Sequence, residues 1–198
     1  MAIRLLQLWA NFTTFIAVKA DAIGGLTVAA PLSTVVNETE LLAIVKSARA
    51  AGAKIVWTNG CFDLLHAGHI RYLRQAKELG DMLIVGLNSD RSIAQWKNPH
   101  RPFVPQEYRL EVLAAIRYVD YVILFDERSP VRLLQLLQPD VYVKGGDYSI
   151  DTIDQSERRV VEGYGGSIVI LPKVEGLSTS DLARRVSEVM RRASEGSG

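Results

Sequence analysis

His66 and His69 stand three residues apart with Gly68 between them, in the run Thr58-Asn59-Gly60-Cys61-Phe62-Asp63-Leu64-Leu65-His66-Ala67-Gly68-His69. The Lys54-Ile55-Val56-Trp57 stretch ahead of the run reads as a short apolar strand. After it, Ile70, Leu73, Ala76 and Leu79 carry helical spacing up to Gly80. Both imidazoles therefore belong to the first turn of a helix that follows a strand, and at this spacing they share one helix face. The leading amides of such a helix lack intrahelical partners and lie at its positive dipole end, so an anion is welcome there and the imidazoles add donors. The chemistry this suits is the holding of phosphate. Gly60 lets the backbone turn sharply and come close to a ligand, and Gly68 leaves space for a base or a sugar on the helix. The competing readings are solvated surface histidines, a plain turn glycine, and zinc held with Cys61 and Asp63. Zinc is disfavoured because the chain has one Cys and a single further histidine, His100.

The elements that must position these groups alternate beyond residue 37. The pattern predicts helices over 38–51, 67–79, 105–116, 129–138, 154–163 and 179–193, and strands over 54–58, 82–88, 120–125, 140–144 and 167–171. Met82-Leu83-Ile84-Val85 and Ser167-Ile168-Val169-Ile170 are apolar on consecutive positions, as in strands covered on both faces. The expected fold is α/β: a Rossmann-like, doubly wound, parallel five-stranded sheet with helices on both faces. Such sheets bind ligands beyond the strand C-termini, at the switch point of strand order.

Further candidates fall at those strand ends. Lys144-Gly145-Gly146-Asp147 follows the strand Asp140-Val141-Tyr142-Val143, which aims the lysine at the top of the sheet while the glycines let the backbone bend. Ser178 and Asp181 are spaced as a capping box at the start of the last helix, and hydroxyls there suit phosphates as well as capping. Trp96-Lys97-Asn98-Pro99-His100-Arg101-Pro102 is turn-rich, so its cations could close over a bound triphosphate. Asn88 and Asp90 could contact either substrate or simply form a turn, and Arg109 is read as a helix residue that supports the loop.

The run Gly60-x-Phe62-Asp63-x-x-His66-x-Gly68-His69 resembles the signature of the nucleotidyltransferase superfamily that includes cytidylyltransferases and pantetheine-phosphate adenylyltransferase. Within it the chain is most similar to the D-glycero-β-D-manno-heptose 1-phosphate adenylyltransferase branch. Four more stretches carry the resemblance: Leu87-Asn88-Ser89-Asp90, Arg101-Pro102-Phe103-Val104-Pro105 with Arg109, Val143-Lys144-Gly145-Gly146-Asp147-Tyr148, and Gly176-Leu177-Ser178-Thr179-Ser180. Many relatives place an arginine ahead of the last stretch, where this chain has Val174-Glu175-Gly176; the heptose branch also tends to lack it. The resemblance implies a nucleotidyltransferase fold and a nucleotide site drawn from Asn59, Gly60, Cys61, Phe62, Asp63, Gly68, Arg101, Ser178, Thr179 and Ser180. It implies acceptor contacts from Asn88, Asp90, Lys144, Gly145 and Asp147, and catalysis by His66, His69 and Lys97, with no metal held by the protein itself.

Composition fits one such domain. The chain has 198 residues, 48% hydrophobic and 23% charged, enough for a full core. Its 23 basic and 22 acidic residues nearly cancel to a net +1, which argues against a nucleic-acid partner. A single cysteine suits a reducing cytoplasm. Over residues 1–36 Arg4, Lys19 and Asp21 break the apolar runs below the ~20 residues of a membrane span, so no membrane partner is expected. Residues 20–28 and Thr34-Val35-Val36 resemble the last helix of the sugar-kinase domain that precedes the adenylyltransferase in bifunctional heptose enzymes, so the arm reads either as a remnant of that domain or a packing arm of a homodimer, or as an ordinary amphipathic helix. The nucleotidyltransferase domain is expected over 37–193 and a flexible tail over 194–198.

No Ser/His/Asp or Cys/His nucleophile arrangement is evident. The acceptor's own phosphate, anionic at neutral pH, can attack directly, leaving the protein to position groups and stabilise charge at the α-phosphate. The expected reaction is adenylyl transfer from ATP to a sugar 1-phosphate, with Mg²⁺ bridging the phosphates. The alternatives are a CTP-dependent enzyme acting on a glycerol or ethanolamine phosphate, and a non-catalytic nucleotide-binding module.

Overall fold

The computed structural model describes residues 34–96, 101–146, 148–172, 176 and 178–195. The chain divides into Met1–Ala30 and Pro31–Gly198, and all that follows belongs to the second unit. Most of the N-terminal arm, Lys97, Asp147 and residues 196–198 lie outside the described residues.

The elements run α1 (Glu38–Ala50), β1 (Ile55–Gly60), α2 (Ala67–Lys77), β2 (Met82–Asn88), α3 (Asp90–Ala94), α4 (Gln106–Ala114), β3 (Tyr121–Phe125), α5 (Val131–Leu137), β4 (Val141–Gly145), α6 (Gln155–Gly163), β5 (Ser167–Leu171) and α7 (Thr179–Glu195). The five strands form one parallel sheet in the order β3-β2-β1-β4-β5, the doubly wound arrangement expected from the alternating pattern. The short helix α3 was not expected. Ser89 starts it, its Oγ accepting from the Ser92 amide at 3.0 Å. Thr34 and Val36, read as part of the arm, hydrogen-bond across to Val122 at the outer edge of β3. Among the described residues no helix is long and apolar enough to cross a membrane.

Alternation along the strands builds two cores. On one face Trp57, Ile84, Phe125 and Tyr142 pack against Leu41 of α1, Leu133 and Leu134 of α5 and Val161 of α6. On the other, Val56, Leu83, Val85 and Val143 meet Leu73 and Ala76 of α2 and Leu113 of α4. α1 opens on a capping box, Asn37 Oδ1 receiving the Glu40 amide at 3.0 Å and Glu40 returning the bond to the Asn37 amide at 2.8 Å. At the lower edge of the sheet three aspartates that precede strands each accept an amide from a neighbouring segment: Asp81 from Lys54 (2.8 Å), Asp140 from Ile55 (2.7 Å) and Asp120 from Leu83 (2.6 Å). They pin the register at the end opposite the site.

The upper end is where the strands part. β1 stays paired with β2 as far as Gly60↔Leu87, but with β4 only through Thr58↔Val143. The connections on either side of this pair leave from opposite faces, so a crevice opens between β1 and β4.

Candidate active site

Above that crevice lies a cavity of about 330 Å³. The end of β1 and the turn after it line it with Asn59, Gly60, Cys61, Phe62 and Asp63, and α2 contributes His66, Gly68 and His69. Arg101, Gly145, Ser178 and Thr179 complete the part that the sequence indicated. Gly146, part of the run Lys144-Gly145-Gly146-Asp147, also lines it, as do Tyr72 and Pro172, which were not anticipated.

The turn from β1 into α2 is unusual for its residue types. Phe62 and Leu64 both adopt left-handed backbone, φ 44° and 46°, a conformation seldom held by bulky side chains and concentrated at functional sites. Burial of the Phe62 ring, 5.7 Å from the His69 ring, holds the turn in place. His66 is the N-cap of α2: its Nδ1 accepts the Gly68 amide at 3.1 Å. His69 returns the favour, its Nδ1 accepting the His66 amide at 3.3 Å. The imidazoles thus stand in for the Ser and Glu of an ordinary capping box. Because each Nδ1 is an acceptor, the proton of each neutral ring sits on Nε2, leaving two N–H donors for the cavity. The rings lie 4.0 Å apart between centroids. Burial lowers the pKa of both; His69 falls to about 4, through burial first and then the neighbouring His66, against a small opposing pull from Asp63. At neutral pH the pair is uncharged.

Asp63 is buried and serves the loop over the cavity. It accepts Arg101 Nη1 at 2.6 Å and the amides of Phe103 and Val104 at 3.0–3.1 Å, while its own carbonyl receives the Thr179 hydroxyl at 2.8 Å. Burial alone would raise its pKa, but the hydrogen bonds from Phe103, Arg101 and Val104 win and lower it. Arg101 also stacks 4.3 Å from the Phe103 ring centroid. Ser178 caps α7, accepting the Asp181 amide at 3.0 Å, so this second helix start also faces the cavity.

Other candidates stand elsewhere. Asn88 is buried, its amide given to Ser92 Oγ (3.0 Å) and the Glu127 carbonyl (3.2 Å), and Asp90 binds Arg109 (2.6 Å) and the Gln106 amide (3.2 Å); neither lines the cavity. Ser180 is exposed and outside the lining, and Lys97 and Asp147 lie outside the described residues. Lys144 sits beside the cavity, 2.8 Å from Glu157 Oε2, a buried carboxylate that sequence reading passed over. Arg109, 1% exposed, donates to the carbonyls of Cys61, Asn88 (3.0 Å) and Val104 (2.9 Å), tying the ends of β1 and β2 to the loop. Tyr72 closes the floor of the crevice, its hydroxyl 2.6 Å from Thr58 Oγ1 and 3.1 Å from the Val143 carbonyl. Gly145 must lack a side chain here, since a Cβ would come within 2.6 Å of the Tyr72 ring.

Comparison with known proteins agrees with this architecture. The chain matches the Cytidylyltransferase-like family over residues 57–185. It is 46% identical over 150 residues to the bifunctional protein HldE of Geotalea uraniireducens (strain Rf4), covering 76% of this chain and 30% of that protein. It is 48% identical over 165 residues to the bifunctional protein HldE of Halorhodospira halophila (strain DSM 244 / SL1), covering 83% and 34%. The chain thus spans about a third of the length of these relatives. Among solved structures, the lipopolysaccharide core biosynthesis protein from Thermoplasma volcanium GSS1 superposes with a TM-score of 0.51 at 29% identity, covering 62% of this chain and 98% of that one. With the parallel sheet, the histidine-capped helix and a match over most of its length, the chain belongs to the Cytidylyltransferase-like family.

Proposed function

We propose that this chain is a nucleotidyltransferase that moves AMP from ATP to heptose 1-phosphate, giving ADP-heptose and pyrophosphate. The observation that carries the chemistry is the pair of imidazoles whose Nδ1 atoms are engaged by backbone amides, leaving Nε2–H donors at the cavity. The sugar acceptor is supported by the similarity to the proteins named HldE and to the lipopolysaccharide core biosynthesis protein.

The acceptor's phosphate oxygen attacks the α-phosphorus of ATP, a new P–O bond forming as the bond to pyrophosphate breaks. No general base is required, because the attacking oxygen is already anionic. Neutral His66 and His69 donate to the α-phosphate oxygens, and such preorganised donors gain most as charge builds there. Arg101 and the start of α7 hold the departing pyrophosphate, with Lys97 as a further cation in this reading. Mg²⁺ travels with the ATP phosphates: Asp63, the one carboxylate that lines the cavity among the described residues, is already taken by Arg101 and two amides. The reading also puts the enzyme in the cytoplasm and makes it a homodimer; sedimentation of the purified chain checks the dimer.

The test is pyrophosphate release measured across ATP, CTP, heptose 1-phosphate and glycerol 3-phosphate, on the parent and on His69→Ala. Turnover is expected with ATP and heptose 1-phosphate, and the variant should lose about 10²–10³ in rate while staying folded. A folded His69→Ala within a few fold of the parent overturns the mechanism. ATP binding without turnover in the parent overturns the activity.

A further inference from the structure

We propose that Glu157 is a positioning residue for the acceptor phosphate, acting through Lys144 and Asn59; this rests on the function proposed above. Glu157 enters from α6 at 4% exposure and is used by nothing in the mechanism. Its Oε2 lies 2.8 Å from Lys144 Nζ and 2.7 Å from the Tyr142 hydroxyl, and its Oε1 receives Ser129 Oγ at 3.0 Å. Tyr142 Oη is also 2.9 Å from Asn59 Oδ1, and Asn59 lines the cavity. One continuous set of contacts therefore joins a buried carboxylate to a cavity side chain and to the cation beside it.

Two features of the fold give this network its direction. Asp63 gathers Arg101 and Thr179 on the α2 side, so the groups suited to pyrophosphate stand together. An in-line displacement brings the entering oxygen from the opposite side. Lys144 follows Tyr142 by two positions on β4 and so shares its face, the one away from α2. With its side chain 18% exposed, Lys144 is reachable by a ligand yet held by Glu157.

The tyrosine proton supplies the second link. It cannot serve both Asn59 and Glu157. While Glu157 is a charged acceptor the proton goes to the carboxylate, and the Asn59 amide must turn its nitrogen to Tyr142. Glu157 thus decides which end of the Asn59 amide is offered elsewhere, without touching the ligand itself.

The experiment is steady-state pyrophosphate release with ATP and heptose 1-phosphate varied separately, on the parent, E157Q, K144M, the double variant E157Q/K144M and Y142F, with thermal unfolding of each. E157Q should raise KM for heptose 1-phosphate about tenfold while KM for ATP stays within about twofold, and it should add little in the K144M background. If E157Q does not fold, Y142F carries the test: it keeps the ion pair and should raise the same KM by less. Equal changes in both KM values, or full additivity with K144M, overturn the inference. A parent that does not turn over instead removes the function proposed above. Calorimetry with heptose 1-phosphate alone then decides, and equal binding by parent and E157Q, or none by the parent, overturns the inference.

Discussion

The histidine pair does two jobs at once: it caps α2 through Nδ1, which requires the neutral ring, and with Nδ1 so engaged the one proton of that ring is offered to the cavity from Nε2. This couples the site to stability. His69 titrates at about 4 in the folded protein, chiefly through burial, and near the ordinary 6.5 once unfolded. Between those values the unfolded chain binds the proton more readily, so stability is complete above pH 6.5 and declines as pH falls through the window. Thermal unfolding followed from pH 7.5 to 5 should show Tm dropping by several degrees, with a shallower slope in His69→Gln; a flat profile in the parent refutes the assignment. Asp63 acts in a different range. Its folded pKa is lowered, so its stabilisation is lost only as pH falls below the ordinary 3.8. Asp63→Asn should cost about 2–4 kcal/mol, near the low end for breaking a buried ion pair because Arg101 keeps some exposure. It should also raise KM for ATP by freeing the loop that carries Arg101, and unchanged ATP kinetics in a folded variant would contradict the clamp.

Elements reach the cavity only because other side chains tie them together, and Arg109 is the main tie. It emerges from α4 and bonds the ends of β1 and β2 and the loop at Val104 without lining the cavity. A lysine has one nitrogen for these carbonyls, so Arg109→Lys should lose about 2–4 kcal/mol, lower Tm by roughly 5–15 °C and reduce turnover. Equal Tm in parent and variant by calorimetry would show the tie to be dispensable. The helices and strands were legible in the sequence because apolar runs such as Met82-Leu83-Ile84-Val85 leave no other way to be buried, and the histidine run was legible because its glycines and imidazoles sit at a strand-to-helix turn. What stayed hidden depends on partners distant in the chain. Glu157 lies in Gln155-Ser156-Glu157-Arg158-Arg159, which reads as a solvated helix face until Tyr142 and Lys144 are brought beside it. Asn88 and Asp90 could be read from the sequence as substrate contacts or as a turn, and the partners that engage them, Ser92, Gln106 and Arg109, lie elsewhere in the chain. The left-handed Phe62 and Leu64 carry no local signal, since neither type favours that backbone.

For the molecule as a unit, the cavity draws on β1, α2, the loop at 101–104, β4 and the start of α7, which span residues 59 to 179. A ligand that touches all of them ties these elements to one another, so its binding should raise the stability of the fold. The net charge of +1 provides no long-range attraction for a polyanion, so binding energy has to come from local donors: two imidazoles, Arg101 and the starts of α2 and α7. Linkage then sets the size of the effect. ATP with Mg²⁺ at a hundred times its Kd adds about 2.7 kcal/mol, or roughly 5–11 °C in Tm for a chain of this length. Chelating the metal should shrink that shift, because these donors, with Arg101 the one cation among them, then face the full triphosphate charge. Arg101→Ala should shrink it further, and the parent with heptose 1-phosphate alone should show a smaller shift than with ATP. Differential scanning calorimetry reads all four conditions, and a shift of similar size in the parent and in Arg101→Ala would mean that the triphosphate is held somewhere other than beneath this loop.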